Sequence, residues 1–391
     1  MKLLYSSRRE KKRGKKILFF FILLYLLSSL ILCGCLDINT QSPQPVQNKS
    51  EKGILVPSSL NPSITKSYSI PSQTESIELS GKTGQIEIYT SDGSVVRLPS
   101  ITNRIIAANS DAAELLIALG ASDKIVGVTD TVATDPVLKP FIEKARSIGN
   151  WQTPDIEMIL ELNPDVVIAY GSYRPQNIDK ILALNISVLS IDCYHLNTLI
   201  RDIHSLAVLT GKESESSQLL AFTQKGIDIA HNRVSTIDQS MKPRVYIEYG
   251  DYSVPGKGSG ADTLITFSGG LNIAGNDTQS YFKVNPEWIV TQNPDVIIKI
   301  VPGNKPWDDY PKIKEDLLKR PGFTNISAVR NNKVYLLNGD YAFGPRAGIG
   351  VIAIGKVLHP LRFTDIDPSE MVTEYRQKFL NTVPEDQIIY Q

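Results

Sequence analysis

The chain has 391 residues with 41 basic and 41 acidic side chains, but residues 1–34 hold eight of the basic ones and a single acid, Glu10. The remainder carries 33 basic against 40 acidic side chains, a net charge of −7, which excludes a nucleic acid as partner because phosphate binding needs a clustered basic surface. Of three cysteines, two stand at Cys33 and Cys35 and only Cys193 lies further on, which excludes a disulfide framework.

The basic run 8–16 followed by the apolar run 17–32 has the charge order of a secretion signal and is short for a membrane-spanning helix. Leu32-Cys33-Gly34-Cys35 then resembles a lipobox, where a peptidase cuts before a cysteine that takes the lipid. Gly34 is the small residue that such a cut needs, so Cys35 is the expected attachment point. Retention of 17–32 as an uncleaved anchor is the alternative, and both versions put the rest outside the cytoplasmic membrane. The segment 35–65, rich in Ser, Pro, Gln and Asn, reads as a flexible tether.

Beyond the tether, 85–89 and 95–98 flank an Asp92-Gly93 turn and predict a hairpin. A buried strand is expected at 103–108. Asp111 with Glu114 three residues on predicts a capping box opening a helix over 112–119, with a strand at 124–128 after Gly120. A short helix over 180–185, a strand over 187–191 and an amphipathic helix over 196–209 follow. From 213 to about 237 the apolar spacing predicts a connecting helix of about 35 Å at 1.5 Å per residue. A strand at 244–249, helices over 260–268 and 348–358, a strand at 333–337 and a surface helix over 368–380 complete the order.

One unit occurs twice. The stretch 155–168 aligns without a gap on 285–298, sharing a first-turn acid (Glu157, Glu287), an Asn-Pro-Asp (163–165, 293–295) and an apolar run (Val166-Val167-Ile168, Val296-Ile297-Ile298). Asp155 and Asn285 are N-cap types and the acids suit the positive helix end. The proline stops the helix, and the apolar run reads as a strand buried on both faces. A second ungapped pair, 113–127 with 261–275, supports two related α/β lobes. The expected division is a signal at 1–34, a tether at 35–65, an N-terminal lobe at 66–211, a connecting helix at 212–240 and a C-terminal lobe with tail helix at 241–391.

Several segments in order resemble those of substrate-binding proteins that serve ABC importers of iron complexes, haem and vitamin B12. They are Asn103-Arg104-Ile105-Ile106, 119–128, Gly149-Asn150-Trp151, 163–168, Phe267-Ser268-Gly269-Gly270-Leu271-Asn272-Ile273-Ala274, 293–298 and 328–335. The resemblance spans roughly 85–360. It implies two Rossmann-like lobes joined by one long helix, ligand held in the cleft between them, and an ABC permease as partner. In that family one surface glutamate per lobe docks to permease arginines, and the positions match Glu157 and Glu287. A monomer without a resident cofactor is expected, with a ferric siderophore as cargo and a corrinoid or haem as alternatives.

Ligands of open α/β sheets sit beyond the carboxyl ends of the strands. The loops so placed carry Trp151, Tyr170, Tyr173, Arg174, Tyr194, Tyr249, Tyr252, Tyr341, Phe343 and Arg346. Rings cover apolar ligand surface, and guanidinium forks pair with carboxylate or catecholate oxygen. Arg174 and Arg346, one per lobe, are the expected charge contacts. The four histidines, His195, His204, His231 and His359, show no paired metal-ligand spacing, although haem through His195 or a tyrosine stays open. Catalysis is not expected: Gly350 to Val357 mimics a phosphate loop but has Val357 where Ser or Thr is required.

Overall fold

The computed structural model describes residues 85–382 and 387–391. The signal segment, Cys35 and the tether fall outside them. The strands are β1 Ile86–Tyr89, β2 Val95–Leu98, β3 Ile105–Ala107, β4 Ile125–Val128, β5 Arg146–Ser147, β6 Val166–Ala169, β7 Ser187–Ser190, β8 Arg244–Tyr249, β9 Ser253–Pro255, β10 Leu271–Asn272, β11 Tyr281–Lys283, β12 Val296–Val301, β13 Val334–Asn338 and β14 Ile389–Tyr390. Two separate five-stranded sheets result, ordered β5-β4-β3-β6-β7 and β10-β8-β12-β13-β14. All neighbours pair parallel except β14, which runs antiparallel to β13. The run β4-β3-β6-β7 matches β10-β8-β12-β13, so the repeated unit occupies the same place in each sheet.

The Asn-Pro-Asp of each copy does more than stop a helix. Asn163 and Asn293 cap helices Ile156–Leu162 and Pro286–Gln292 in the left-handed region, with φ of 42° and 43°, a conformation that asparagine tolerates. The aspartate two residues on then reaches the start of the first strand of its sheet. Asp165 Oδ2 accepts the amides of Asn103 and Arg104, both at 2.8 Å, and Asp295 Oδ2 accepts the Arg244 amide at 2.9 Å. Arg104 and Arg244 in turn donate to the last carbonyls of the preceding helix, at Leu162 and Gln292. Each motif therefore sets helix, strand and neighbouring strand in register.

Helix Glu213–Val234 has 22 residues and lies between the lobes' inner helices, Leu199–Thr210 and Ala347–Leu358. It crosses the latter so closely that a Cβ on Gly226 would stand 3.3 Å from the Gly348 backbone. One buried cluster runs through this layer, from Ile86 and Leu116 through Leu219 and Ile352 to Leu337, while the outer face of each sheet has its own smaller cluster.

Two local expectations are corrected. The first helix is Ser110–Ala118 and its cap is Asn109, whose side chain accepts from the amides of Asp111 and Ala112. Glu114 is not half of a capping box: it is turned inward and buried. The Asn109 amide also donates to the carbonyls of Ile191 and Asp192, so the cap is fixed by the end of β7 and not by local spacing. Helix Pro368–Phe379, expected at the surface, buries Met371, Val372 and Tyr375, with the Tyr375 ring 5.7 Å from Phe222 of the connecting helix.

A candidate ligand cleft lined by aromatic rings

The carboxyl ends of the two sheets bring loops of both lobes together. Trp151 lies 5.4 Å from Tyr170, Tyr170 lies 5.8 Å from Tyr194, Tyr194 lies 6.2 Å from Phe343, and Phe343 lies 5.9 Å from Tyr249, measured between ring centroids. The first three rings belong to the N-terminal lobe and the last two to the C-terminal lobe, so one row of edge-on rings crosses the seam. A second crossing pairs Tyr173 with Tyr281 at 6.4 Å. Tyr249 is 45% exposed and Tyr173 36%, which leaves ring surface free to cover an apolar ligand.

Gly260, the first residue of helix Gly260–Phe267, makes the crossing possible. A Cβ there would stand 2.9 Å from the Tyr194 ring and 3.1 Å from that of Phe343. Neither Gly260 nor Tyr281 was among the residues expected from the sequence. Tyr281 lies in β11, which pairs only with β9 in a ribbon outside both main sheets, so no strand-end argument points to it. His195 packs against Tyr194 with centroids 4.1 Å apart, and burial depresses its pKa below the usual histidine value.

Four expected contacts stand apart from the row. Tyr341 is fully buried in the core. Tyr252 lies under the guanidinium of Arg320, 4.3 Å from ring centre to Cζ, where Arg320 and Lys299 both bind the buried Glu248 at 2.8 Å. Arg174 is exposed. Arg346, expected as a free charge contact, is instead buried and committed. Its Nη2 donates to Glu114 Oε2 at 2.8 Å, its Nε lies 2.8 Å from Glu114 Oε1, and its Nη1 donates to Asp340 at 3.2 Å. The Tyr375 hydroxyl donates to Glu114 Oε1 at 2.9 Å. Glu114 is in the first lobe and Arg346 in the second, so this pair ties the lobes beneath the rings.

Comparison with known proteins decides what this architecture is. The model of the periplasmic binding protein family matches residues 105–341, more than half of the chain. The chain belongs to the periplasmic binding protein family. It is 25% identical over 317 residues to the molybdate-binding protein MolA of Haemophilus influenzae, covering 73% of this chain and 88% of that one. MolA with bound molybdate superposes with a TM-score of 0.67 over 77% of this chain and 99% of MolA. The chain is 26% identical to the ABC transporter substrate-binding lipoprotein YvrC of Bacillus subtilis, over 67% of this chain and 82% of that one. It is also 26% identical to a vitamin B12-binding protein of Yersinia pestis, over 52% and 72%. A periplasmic binding protein holds its ligand and does not transform it.

The two acids of the repeated unit sit at comparable places in the binding protein. Helices Ile156–Leu162 and Pro286–Gln292 each lead into the amino end of a sheet strand, β6 and β12, so their own amino ends lie beside the carboxyl edge of the sheet, next to the cleft. Glu157 and Glu287 are exposed in those first turns and make no ion pair among the described residues.

One further acid lies at the seam. Asp111 Oδ2 accepts the Tyr170 hydroxyl at 3.0 Å, and burial pushes its carboxyl up to about 7, against the opposing pull of that bond. A folded-state pKa above the unfolded value means that the proton stabilises the fold: the gain is complete below the unfolded pKa near 4 and is lost as pH rises through about 7. Asp111→Asn, which cannot ionise, is therefore expected to unfold at a higher temperature than wild type at about pH 8, by on the order of 1–3 kcal/mol, and together with it at about pH 4. Thermal unfolding of both proteins across that range is the check; a variant less stable at the alkaline end would refute the assignment.

Proposed function

We propose that this protein is the extracytoplasmic substrate-binding lipoprotein of an ABC importer, anchored through Cys35, that captures a ferric siderophore and hands it to the permease. The row Trp151-Tyr170-Tyr194-Phe343-Tyr249 carries this reading, because five rings crossing the seam suit a large complex with an organic shell better than a bare ion. Tyr173 flanks the row, and Arg174 is the exposed cation that can meet an anionic edge of the cargo. Metal enters inside the cargo, and the protein acts as a monomer without resident cofactor. Glu157 and Glu287 are the permease contacts.

A corrinoid is the second cargo, favoured by the same rings and by the likeness to the vitamin B12-binding protein. Molybdate, the ligand of MolA, has less support, since of the two arginines expected as charge contacts the buried one, Arg346, is bound to Glu114 and Asp340. Parallel titrations of the purified protein with a ferric siderophore, cyanocobalamin, haemin and molybdate, followed by tryptophan fluorescence, test the cargo. Saturable quenching by an organic metal complex is expected, and it should fall away in Trp151→Phe. Saturation by molybdate alone would overturn the reading.

A further inference from the structure

The carboxylate of Asp111 takes no part in the ring row, yet both lobes are shaped around it. It stands in the first turn of helix Ser110–Ala118, just beyond the carboxyl end of β3. One oxygen is held by the Tyr170 hydroxyl, which also lies 3.2 Å from Ser110 Oγ. The other, Oδ1, faces Gly344 of the opposite lobe, where a Cβ would come within 2.6 Å of it. Gly344 has φ of +66°, so the second lobe brings bare backbone to this oxygen.

The cation beside the acid, Arg346, lowers its pKa but is shared with other carboxylates. Asp111 makes no ion pair among the described residues, and the guanidinium beside it, Arg346, is engaged by Glu114 and Asp340. The remaining titratable groups around it are Glu114 on its own helix, Tyr170 after β6, Cys193 after β7 and Tyr249 at the end of β8, none of them positive. Asp111 is half-buried and its nearest cation is divided among three carboxylates, so it repels other anions.

We propose that Asp111 is the cleft's acceptor for cargo: it takes an N–H donor or a positive charge on the outer shell of the complex. At this point the cleft thereby favours complexes bearing amide or ammonium groups over oxyanions and tris-catecholates. This rests on the reading of the seam as the cargo site. A hydrogen bond to an ionised acceptor is roughly twice as strong as one between neutral groups, so the preference grows as Asp111 loses its proton.

The test compares wild type with Asp111→Asn, a near-isosteric change that keeps an acceptor for the Tyr170 hydroxyl. Cyanocobalamin and ferrioxamine B supply amide and ammonium donors, while ferric enterobactin and molybdate are the anionic arms; Trp151 fluorescence reads binding. A donor-bearing complex is expected to bind wild type about tenfold more tightly at about pH 8 than at about pH 5.5, and the variant should bind with the same, weaker affinity at both. If the variant keeps the wild-type affinity and pH profile, the role of Asp111 is overturned while the binding-protein reading stands. Preference of wild type for molybdate or the tris-catecholate at the alkaline pH overturns it as well. Failure of wild type to bind any of the four at either pH removes the cargo reading and this inference with it.

Discussion

Arg346→Leu is expected to lower the melting temperature by roughly 6–20 °C, the largest effect of any single substitution considered for this protein. The guanidinium is buried, meets both oxygens of Glu114 and reaches Asp340, and the Tyr375 hydroxyl completes the shell of Glu114. Removing it strands a buried carboxylate, for which about 3–5 kcal/mol is usual, and each kcal/mol moves the transition of a domain this large by about 2–4 °C. The damage comes from the abandoned partner more than from the lost attraction. The double variant Glu114→Leu/Arg346→Leu should therefore recover most of the loss, since apolar replacement of a whole buried pair is often close to neutral. Calorimetry of the two single variants and the double one decides it. Single variants within about 1 kcal/mol of wild type would show that the pair is solvated and does not tie the lobes.

Charge reversal of the two acids proposed as permease contacts, Glu157→Arg with Glu287→Arg, is expected to abolish cargo uptake into cells or permease-containing vesicles while leaving cargo affinity unchanged. Both carboxylates are exposed and have no ion-pair partner among the described residues, so the fold loses only their interaction with the helix amino ends, about 0.3–1 kcal/mol each. Opposite a basic permease surface the same change sets like charges together, which costs several kcal/mol. Each single reversal should weaken uptake, and the pair should remove it if both lobes supply a contact. Cargo affinity measured beside uptake separates the roles: if affinity falls in parallel with transport, these acids belong to the cleft and not to the permease contact.

The same two helices show how far local pattern reaches. Asp155, Asn285 and the following acids mark helix starts, and Asn-Pro-Asp marks their ends, because capping and the steric effect of proline act within a few residues. What Asp165 and Asp295 bind, the amides at Arg104 and Arg244, lies 61 and 51 residues away, and no local pattern carries it. Glu114 is the sharper case. Its spacing from Asp111 imitates a capping box, but its partners Arg346 and Tyr375 are 232 and 261 residues distant. A buried cation prevails over a helix end that Asn109 already satisfies.

The cleft divides in the same way. Rings following β6, β7 and β8 could be placed because a strand end is a local feature and sheet topology puts such ends on one edge. Tyr281 and Gly260 could not, since one sits on an accessory ribbon and the other is notable only for the ring that presses on its missing Cβ. The connecting helix and the first-turn acids follow from periodicity and capping, which are short-range physics, and the two lobes from the internal repeat. Which charges are free for ligand and which hold the protein together was decided only when distant elements packed. Burial gives an ion pair its weight, and burial is a property of the assembled fold.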